Sequence, residues 1–260
     1  MNRGKDNTAA DRKRIEQLAK KAGLAAKPIL AAAKTAIELV PESLGLKGNA
    51  IPTFQQLAAP QSRFGGAPDF HEGDDEWPET YTFVAQVNLG EIGYYVGAEH
   101  IPMNGLVSFF VVDGEDDDGD YLGTGYVQHD AYEGNETFWR LPVPKKGVRV
   151  LPCSAMTFIA RLTLPHPGTN EAKALKLTAD QATAYNDIVY AGYAHPVHQL
   201  FGCKNTDLDG DANEVLVLSL ASDKKLGMKW GDDNRLNFHI KKTHFAKAKL
   251  GEAYPAYVDA

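Results

Sequence analysis

The sequence predicts an α+β fold, mostly antiparallel β-sheet, with two related sheet units, an N-terminal helical arm and a mid-chain helix. Three observations support this prediction. Apolar residues recur at helical spacing near the N-terminus, the apolar period changes to two from residue 80 onward, and short motifs of the first half return in the same order in the second half. With 260 residues, 43% of them hydrophobic, the chain is long enough to bury a substantial core.

The first helix is expected to begin at Thr8. Thr8 and Asp11 have the spacing of a capping box, and Gly23 follows the last apolar residue. The apolar positions at helical spacing are Ile15, Leu18, Ala19 and Ala22.

A second helix is expected to begin at Pro28 and to stop at Pro41, although its apolar tail up to Val40 fits a strand equally well. A mid-chain helix is expected over residues 178–190, because a Thr-x-x-Gln capping box opens this segment and a glycine follows it.

Five segments have the apolar alternation, or the short continuous apolar run, that is typical of strands: 83–89, 106–112, 158–164, 215–220 and 236–240. Strands in runs, rather than in strict alternation with helices, favour antiparallel pairing.

The repeat is visible as two short motifs that precede similar strands. Phe64-Gly65-Gly66 precedes the first pair of strands, and Phe201-Gly202-Cys203 precedes the last pair. The predicted organisation is a helical arm over 1–50, an acidic first β unit over 51–165 and a second β unit over 166–260, packed with the first as one globular body.

Charge is distributed very unevenly along the chain. The formal net charge is −7, yet the stretch from Phe64 to Trp139 holds seventeen Asp and Glu residues and no Lys or Arg. If the fold gathers this stretch on one face, the resulting negative potential would steer a basic partner. The alternative is a set of acidic surface loops that serves solubility.

Composition excludes several classes of function. An acidic chain with a pI near 5.6 argues against nucleic acid as a ligand, since phosphate binding needs concentrated Lys and Arg. The polar start of the sequence and the lack of any run of eighteen apolar residues predict no signal peptide, no membrane span and a cytoplasmic protein. Cys153 and Cys203, without a Cys-x-x-Cys companion, predict reduced thiols rather than a disulfide framework or a zinc site.

Several motifs occur in an order that resembles a known family. They are Ser62-Arg63-Phe64-Gly65-Gly66-Ala67-Pro68-Asp69, Trp77-Pro78, 83–91, 105–110, His198-Gln199-Leu200-Phe201-Gly202, Ser222-Asp223 and Trp230-Gly231-Asp232. As a set they resemble the YwqG-like family of bacterial proteins over roughly residues 60–245. The resemblance implies a duplicated, mostly β fold with no generally established enzyme activity. Because some members neutralise toxins of interbacterial competition, the resemblance also implies that this chain is an immunity protein.

The candidate partner-binding residues are acids beside aromatic side chains, since aromatics supply contact area while acids steer the partner. The denser group is Asp113, Glu115, Asp116, Asp117, Asp118 and Asp120, followed by Tyr121, with Tyr126 nearby. Asp74, Asp75 and Glu76 stand beside Trp77 in the same way. A solvated loop is the alternative interpretation of both groups.

A weak calcium-loop pattern is formed by Asn205, Asp207 and Asp209. Its twelfth position is Leu216 instead of the bidentate Glu, so a polar hairpin turn is the main interpretation and no metal is expected. The pair His195 and His198 lacks the Glu of a His-Glu-x-x-His motif, and His198-Gln199 is expected to hydrogen-bond a turn. The sequence has no phosphate-cradling glycine loop and no nucleophile motif, and no cofactor is expected.

Together these features predict an immunity-type binding protein whose partner is a cognate, basic toxin, for example a cytoplasm-acting nuclease. Two alternatives remain open. One is an enzyme with a cleft between the two β units, and the other is a general protein-interaction module.

Overall fold

The computed structural model describes residues 5–71, 77, 80–95, 101–102, 104–112, 124–132, 136–140, 148–193, 195–204, 213–230 and 235–258. They form the strands β1 (Lys5–Asp6), β2 (Lys34–Ser43), β3 (Arg63–Phe64), β4 (Asp69–His71), β5 (Tyr81–Asn88), β6 (Leu106–Val112), β7 (Gly125–Asp130), β8 (Phe138–Arg140), β9 (Ser154–Thr163), β10 (His198–Phe201), β11 (Glu214–Ala221), β12 (Arg235–Lys241) and β13 (Tyr254–Val258). The helices are α1 (Thr8–Lys21), α2 (Ala26–Ala32), α3 (Leu89–Ile92), α4 (Asn170–Lys173), α5 (Ala179–Asp187) and α6 (Lys242–Phe245). A π-helical turn, Ile188–Gly192, continues α5, and a 3-10 turn, Leu250–Glu252, precedes β13.

Within the described residues, eleven strands form one sheet in the order β13-β12-β11-β10-β2-β9-β3-β5-β6-β7, with β1 added in parallel to β9. All other neighbours in this sheet are antiparallel, which confirms the predicted fold class. The terminal strands β7 and β13 contact each other, so the sheet is nearly closed. β4 and β8 form a separate two-stranded ribbon.

The strand order is the same when it is read outward in either direction from the central pair, β2 and β9. These two strands pair over ten residues each, from Lys34 opposite Thr163 to Ser43 opposite Ser154. Each leads one repeat of five strands, β2-β3-β5-β6-β7 and β9-β10-β11-β12-β13. The leading strands are exchanged, because β3 pairs with β9 while β10 pairs with β2. Strands from all three predicted segments therefore join in this sheet, and the boundaries 1–50, 51–165 and 166–260 stay a prediction.

The strand registers give the equivalence of the two repeats residue by residue. Arg63 pairs with Gln86, and Gln199 pairs with Ser219 at the matching position. The same register irregularity interrupts β5–β6 between Phe83 and Ala85 and β11–β12 between Leu216 and Leu218.

The turns after β3 and β10 match as well, with φ of 55° and 73° at Gly65 and Gly66 and of 58° and 84° at Phe201 and Gly202. Phe201 is thus equivalent to Gly65. The motif alignment expected from sequence, with Phe64 on Phe201, is wrong by one residue.

The main core joins both repeats on one face of the sheet. The rings of Phe109 on β6 and Phe238 on β12 lie 5.0 Å apart, and both side chains are almost fully buried. Burying a side chain of this size contributes about 1.5–3 kcal/mol. The two repeats therefore stabilise each other directly.

The first helix begins at Thr8 as expected, but the predicted capping box of Thr8 and Asp11 is wrong. Asn7 is the N-cap residue and makes no side-chain cap. Asp11 is buried instead, and its carboxylate accepts hydrogen bonds from Arg161 Nε at 2.8 Å and from the Leu162 backbone N–H at 3.0 Å. Arg161 also donates to Glu38 at 2.7 Å, so α1, β9 and β2 are tied together.

The second helix ends at Ala32, and the apolar tail beyond it is the strand β2. That strand lies between β10 and β9 and buries the side chains of Ala36, Ile37 and Leu39. The mid-chain helix and its capping box are confirmed at Thr178 and Gln181. No helix in the described part of the chain is both long and apolar enough to cross a membrane.

Candidate partner-binding surface

Every acidic residue proposed for partner binding lies outside the described residues. These are Asp74, Asp75, Glu76, Asp113, Glu115, Asp116, Asp117, Asp118 and Asp120, together with Tyr121. The calcium-loop candidates Asn205, Asp207 and Asp209 lie outside them too. The strands that hold these segments are described, and they determine where the segments leave the sheet.

Both acidic segments are attached at one end of the first repeat. Tyr81, which follows the segment 72–79, pairs with Val112, which precedes the segment 113–123. The Val112 backbone N–H in turn donates to the carbonyl of Thr124 at 2.8 Å, where the second segment returns to the sheet. Three neighbouring strand ends therefore carry the two densest acidic runs of the chain.

Aromatic side chains pack against each other at this end of the sheet. The Tyr126 ring stacks on Phe110 with a centroid distance of 4.8 Å and meets the edge of Tyr81 at 5.1 Å. Trp77 was expected to offer contact area beside the acids, but its side chain is only 5% exposed and its Nε1 donates to the Tyr81 carbonyl at 2.8 Å. Trp77 is therefore a buried, hydrogen-bonded side chain and does not face a partner.

Two acids of the stretch from Phe64 to Trp139 are buried or partly buried. Asp69 is fully buried, and its carboxylate accepts from Arg63 Nη1 at 2.6 Å and from Arg140 Nε at 2.9 Å. Glu91 is partly buried, and desolvation by burial raises the pKa of its carboxyl group above the ordinary value. The negative face expected from the sequence therefore depends on the remaining acids of the stretch.

The Arg63–Asp69–Arg140 cluster is a rigid polar clamp at the base of this surface. Arg63 donates from Nε to the Ala67 carbonyl at 3.0 Å, and burial lowers the pKa of its guanidinium while Asp69 acts in the opposite direction. Arg140 also donates to the carbonyls of Pro52 at 2.7 Å and Leu57 at 3.2 Å. The clamp therefore joins the loop 44–62, the turn 65–68 and the strand β8.

Two exposed aromatic side chains flank the clamp and were not found from the sequence. Phe54 is 50% exposed and lies 4.8 Å from the Arg140 guanidinium carbon, and Trp139 is 53% exposed on β8. A strand of three residues is too short for its apolar pattern to show which side chain faces outward. Exposure at this position could not be read from the sequence.

One connection of the second repeat has the opposite charge to its equivalent in the first. The connection between β12 and β13 corresponds in register to the acidic connection between β6 and β7. Four exposed lysines lie here, Lys241 at the end of β12 and Lys242, Lys247 and Lys249 in the connection. At this pair of equivalent connections, the acidic character therefore belongs to the first repeat.

The histidine pair is separated in the structure. His198 is 1% exposed, and its Nε2 lies 3.4 Å from Asp223 Oδ2, whereas the His195 ring packs against Tyr193. Gln199 donates to the carbonyls of Phe201 and Cys203, which confirms its expected role at a turn.

Among the described residues, no group of three His, Cys, Asp or Glu side chains could hold a metal ion. The two cysteines are buried and unpaired, and burial raises the pKa of each thiol to about 11.

Comparison with known proteins gives one family. The profile of the domain of unknown function DUF1963, which is the YwqG-like family, matches residues 62–255. No curated protein matches the chain. The match includes the clamp, both acidic segments and the turns after β3 and β10, and it begins after β2.

Proposed function

The chain belongs to the family of the domain of unknown function DUF1963, and we propose that it is an immunity-type protein that neutralises a cognate antibacterial toxin by binding it. The toxin is a basic protein that acts in the cytoplasm, with a nuclease as the best fit. The observation that carries this proposal is the attachment of the two densest acidic runs to adjoining strand ends, in a stretch of seventeen acids without a Lys or Arg.

The electrostatic argument rests on what a nuclease must bind. A surface that holds nucleic acid needs clustered Lys and Arg, so it carries a positive potential. An acidic protein that covers this surface excludes the nucleic acid, and long-range attraction raises the association rate. The matching connection of the second repeat carries exposed lysines instead, so a basic partner is attracted to the acidic connection between β6 and β7 and not to its counterpart.

The experiment is a charge reversal of the acidic run. The variant Asp116→Lys, Asp117→Lys, Asp118→Lys should lower the association rate with the toxin encoded beside this protein's own gene by about 10–100-fold at low ionic strength. Stopped-flow binding over a series of salt concentrations measures the rate. Growth of cells that co-express the toxin measures protection.

A second variant controls for net charge. Glu16, Glu42 and Asp187 are exposed acids outside the acidic stretch. Reversing these three changes the net charge of the protein by the same amount and should leave the rate within about threefold of the wild-type value, since the effect of a surface charge falls off with distance. Equal rates for the two variants would contradict an acidic binding face, and no protection by the wild-type protein would contradict the immunity function.

A further inference from the structure

The first repeat exposes a large aromatic side chain that the fold does not use. Trp139 lies in the middle of β8, opposite Phe70, yet Phe70 is buried while Trp139 is 53% exposed. Trp77 and Trp230, the other two tryptophans, are 5% and 1% exposed. A Trp that is more than half exposed contributes little to the core, whereas Trp is among the residues most enriched at the energetic centres of protein interfaces.

The residue next to Trp139 is tied to the rest of the fold by several hydrogen bonds. This residue, Arg140, donates four hydrogen bonds, to both oxygens of Asp69 and to the carbonyls of Pro52 and Leu57. Phe54 lies against the same guanidinium group in a cation–π contact and is itself half exposed. An aromatic side chain on a fixed backbone loses little conformational entropy when it is buried by a partner.

The ribbon also places Trp139 next to the acidic surface. His71 pairs with Phe138, so the segment 72–76, which carries four of the acids, begins beside Trp139 on the neighbouring strand. The ribbon lies over β5 and β6, because Phe70 packs against Phe110 with ring centroids 6.4 Å apart. Trp139 thus lies on the outer side of the repeat that carries the negative charge.

We infer that Trp139 is the apolar anchor of the surface that binds the basic partner protein. This inference rests on the proposed function and adds the residues that hold the complex together. The acids attract the partner and set the association rate, while Trp139 is buried in the complex and slows dissociation. The occupant is a basic protein with an apolar pocket among its cations, because the segment 72–76, which continues from the strand paired with β8, holds four acids and no Lys or Arg.

Tryptophan fluorescence offers a direct measurement. Because Trp77 and Trp230 are buried, acrylamide should quench mainly Trp139 in the free protein. Adding the toxin encoded beside this protein's gene should protect that signal from the quencher. The Trp139→Phe variant, measured with and without toxin, supplies the blank for the other tryptophans of both proteins.

Binding affinity gives the second measurement. Trp139→Ala should weaken binding at least about tenfold through faster dissociation, while the dependence of the affinity on salt stays as in the wild type. Tyr94→Ala is the matched control, since Tyr94 is 70% exposed and follows the opposite end of β5. Thermal unfolding of both variants checks that the fold is intact.

The outcomes separate the two proposals. Protection of Trp139 together with weakened binding of Trp139→Ala supports the anchor. Wild-type binding with an unprotected Trp139, or with an unaffected Trp139→Ala variant, overturns the anchor and leaves the immunity function standing. If the wild-type protein does not bind the neighbouring toxin at all, both proposals fail.

Discussion

Asp69 forms ion pairs with two arginine side chains at a buried position. Arg63 and Asp69 are both fully buried, and Arg140 is 6% exposed. Charged groups in such a place are tolerated only when every donor and acceptor has a partner. Here the partners include the carbonyls of Pro52, Leu57 and Ala67, and Gln86 accepts a hydrogen bond from the Asp69 backbone at 2.8 Å.

Removing the charge of Asp69 should destabilise the protein strongly. Asp69→Asn leaves two buried guanidinium groups without a carboxylate and should lower the free energy of unfolding by about 3–5 kcal/mol. Glu171→Gln is the control, because its ion pair with Lys34, at 3.2 Å, is largely solvent-exposed and should be worth about 0–1 kcal/mol. Urea unfolding at neutral pH measures both values. Similar losses for the two variants would show that the clamp does not depend on its central charge.

The turns that follow β3 and β10 show how one backbone conformation is used with two different residues. Gly65 has a φ of 55°, and Phe201 has a φ of 58° at the equivalent position. A positive φ therefore does not by itself require glycine at this turn, since the surrounding structure holds Phe201 there. What differs is the space, because a Cβ on Gly65 would lie 2.4 Å from the Pro152 carbonyl oxygen.

A methyl group at position 65 should therefore cost more than backbone strain alone. Gly23 is the matched control, with a φ of 70° and no atom within 4 Å of the place that a Cβ would occupy. Gly23→Ala should lower the free energy of unfolding by about 1–2 kcal/mol, the cost of the left-handed conformation. Gly65→Ala should lower the free energy of unfolding by this amount and by about 1–3 kcal/mol more, because the added methyl group overpacks the site. Chemical denaturation measures the difference, and equal costs would mean that residues 151–152 move aside easily.

Sequence patterns predicted strands whose apolar residues either alternate or form a short continuous run. β5 was found from its alternation, and β6 was found as a continuous apolar run because Phe109 and Phe110 are buried in two different clusters. β2 could not be distinguished from a helix, since its identity is decided by pairing with β9 and β10, more than a hundred residues away. Asp11 fitted a cap in the sequence, whereas its actual partner, Arg161, is supplied by the tertiary structure.

The candidate surface was predictable only as a composition. The charge count identified the first repeat as acidic. That its two acidic segments are attached to neighbouring strand ends depends on the register of Tyr81 with Val112, which the sequence does not show. The repeat itself was visible, yet Phe201 replaces a glycine and shifted the motif alignment by one residue.

The whole sheet depends on a strand that lies outside the family match. The matched region begins at residue 62, whereas β2 spans Lys34–Ser43 and lies between β9 and β10 at the centre of the sheet. Because each repeat receives the leading strand of the other, β2 joins the two repeats and completes the second one. Residues 5–61 are therefore part of the same folded unit as the matched region.

A fragment that starts at residue 62 should fail to fold. Without β2, β9 loses ten paired residues, β10 loses its second neighbour, and the partners of Ile37 and Leu39 in the main core become exposed. The fragment 62–260 should show no cooperative thermal unfolding and should bind a hydrophobic dye, while the chain lacking only residues 1–4 should unfold like the full-length protein. Adding the separate fragment 1–61 should restore cooperative unfolding, because it supplies β2. Cooperative unfolding of 62–260 alone, near the midpoint of the intact chain, would contradict a central role for this strand.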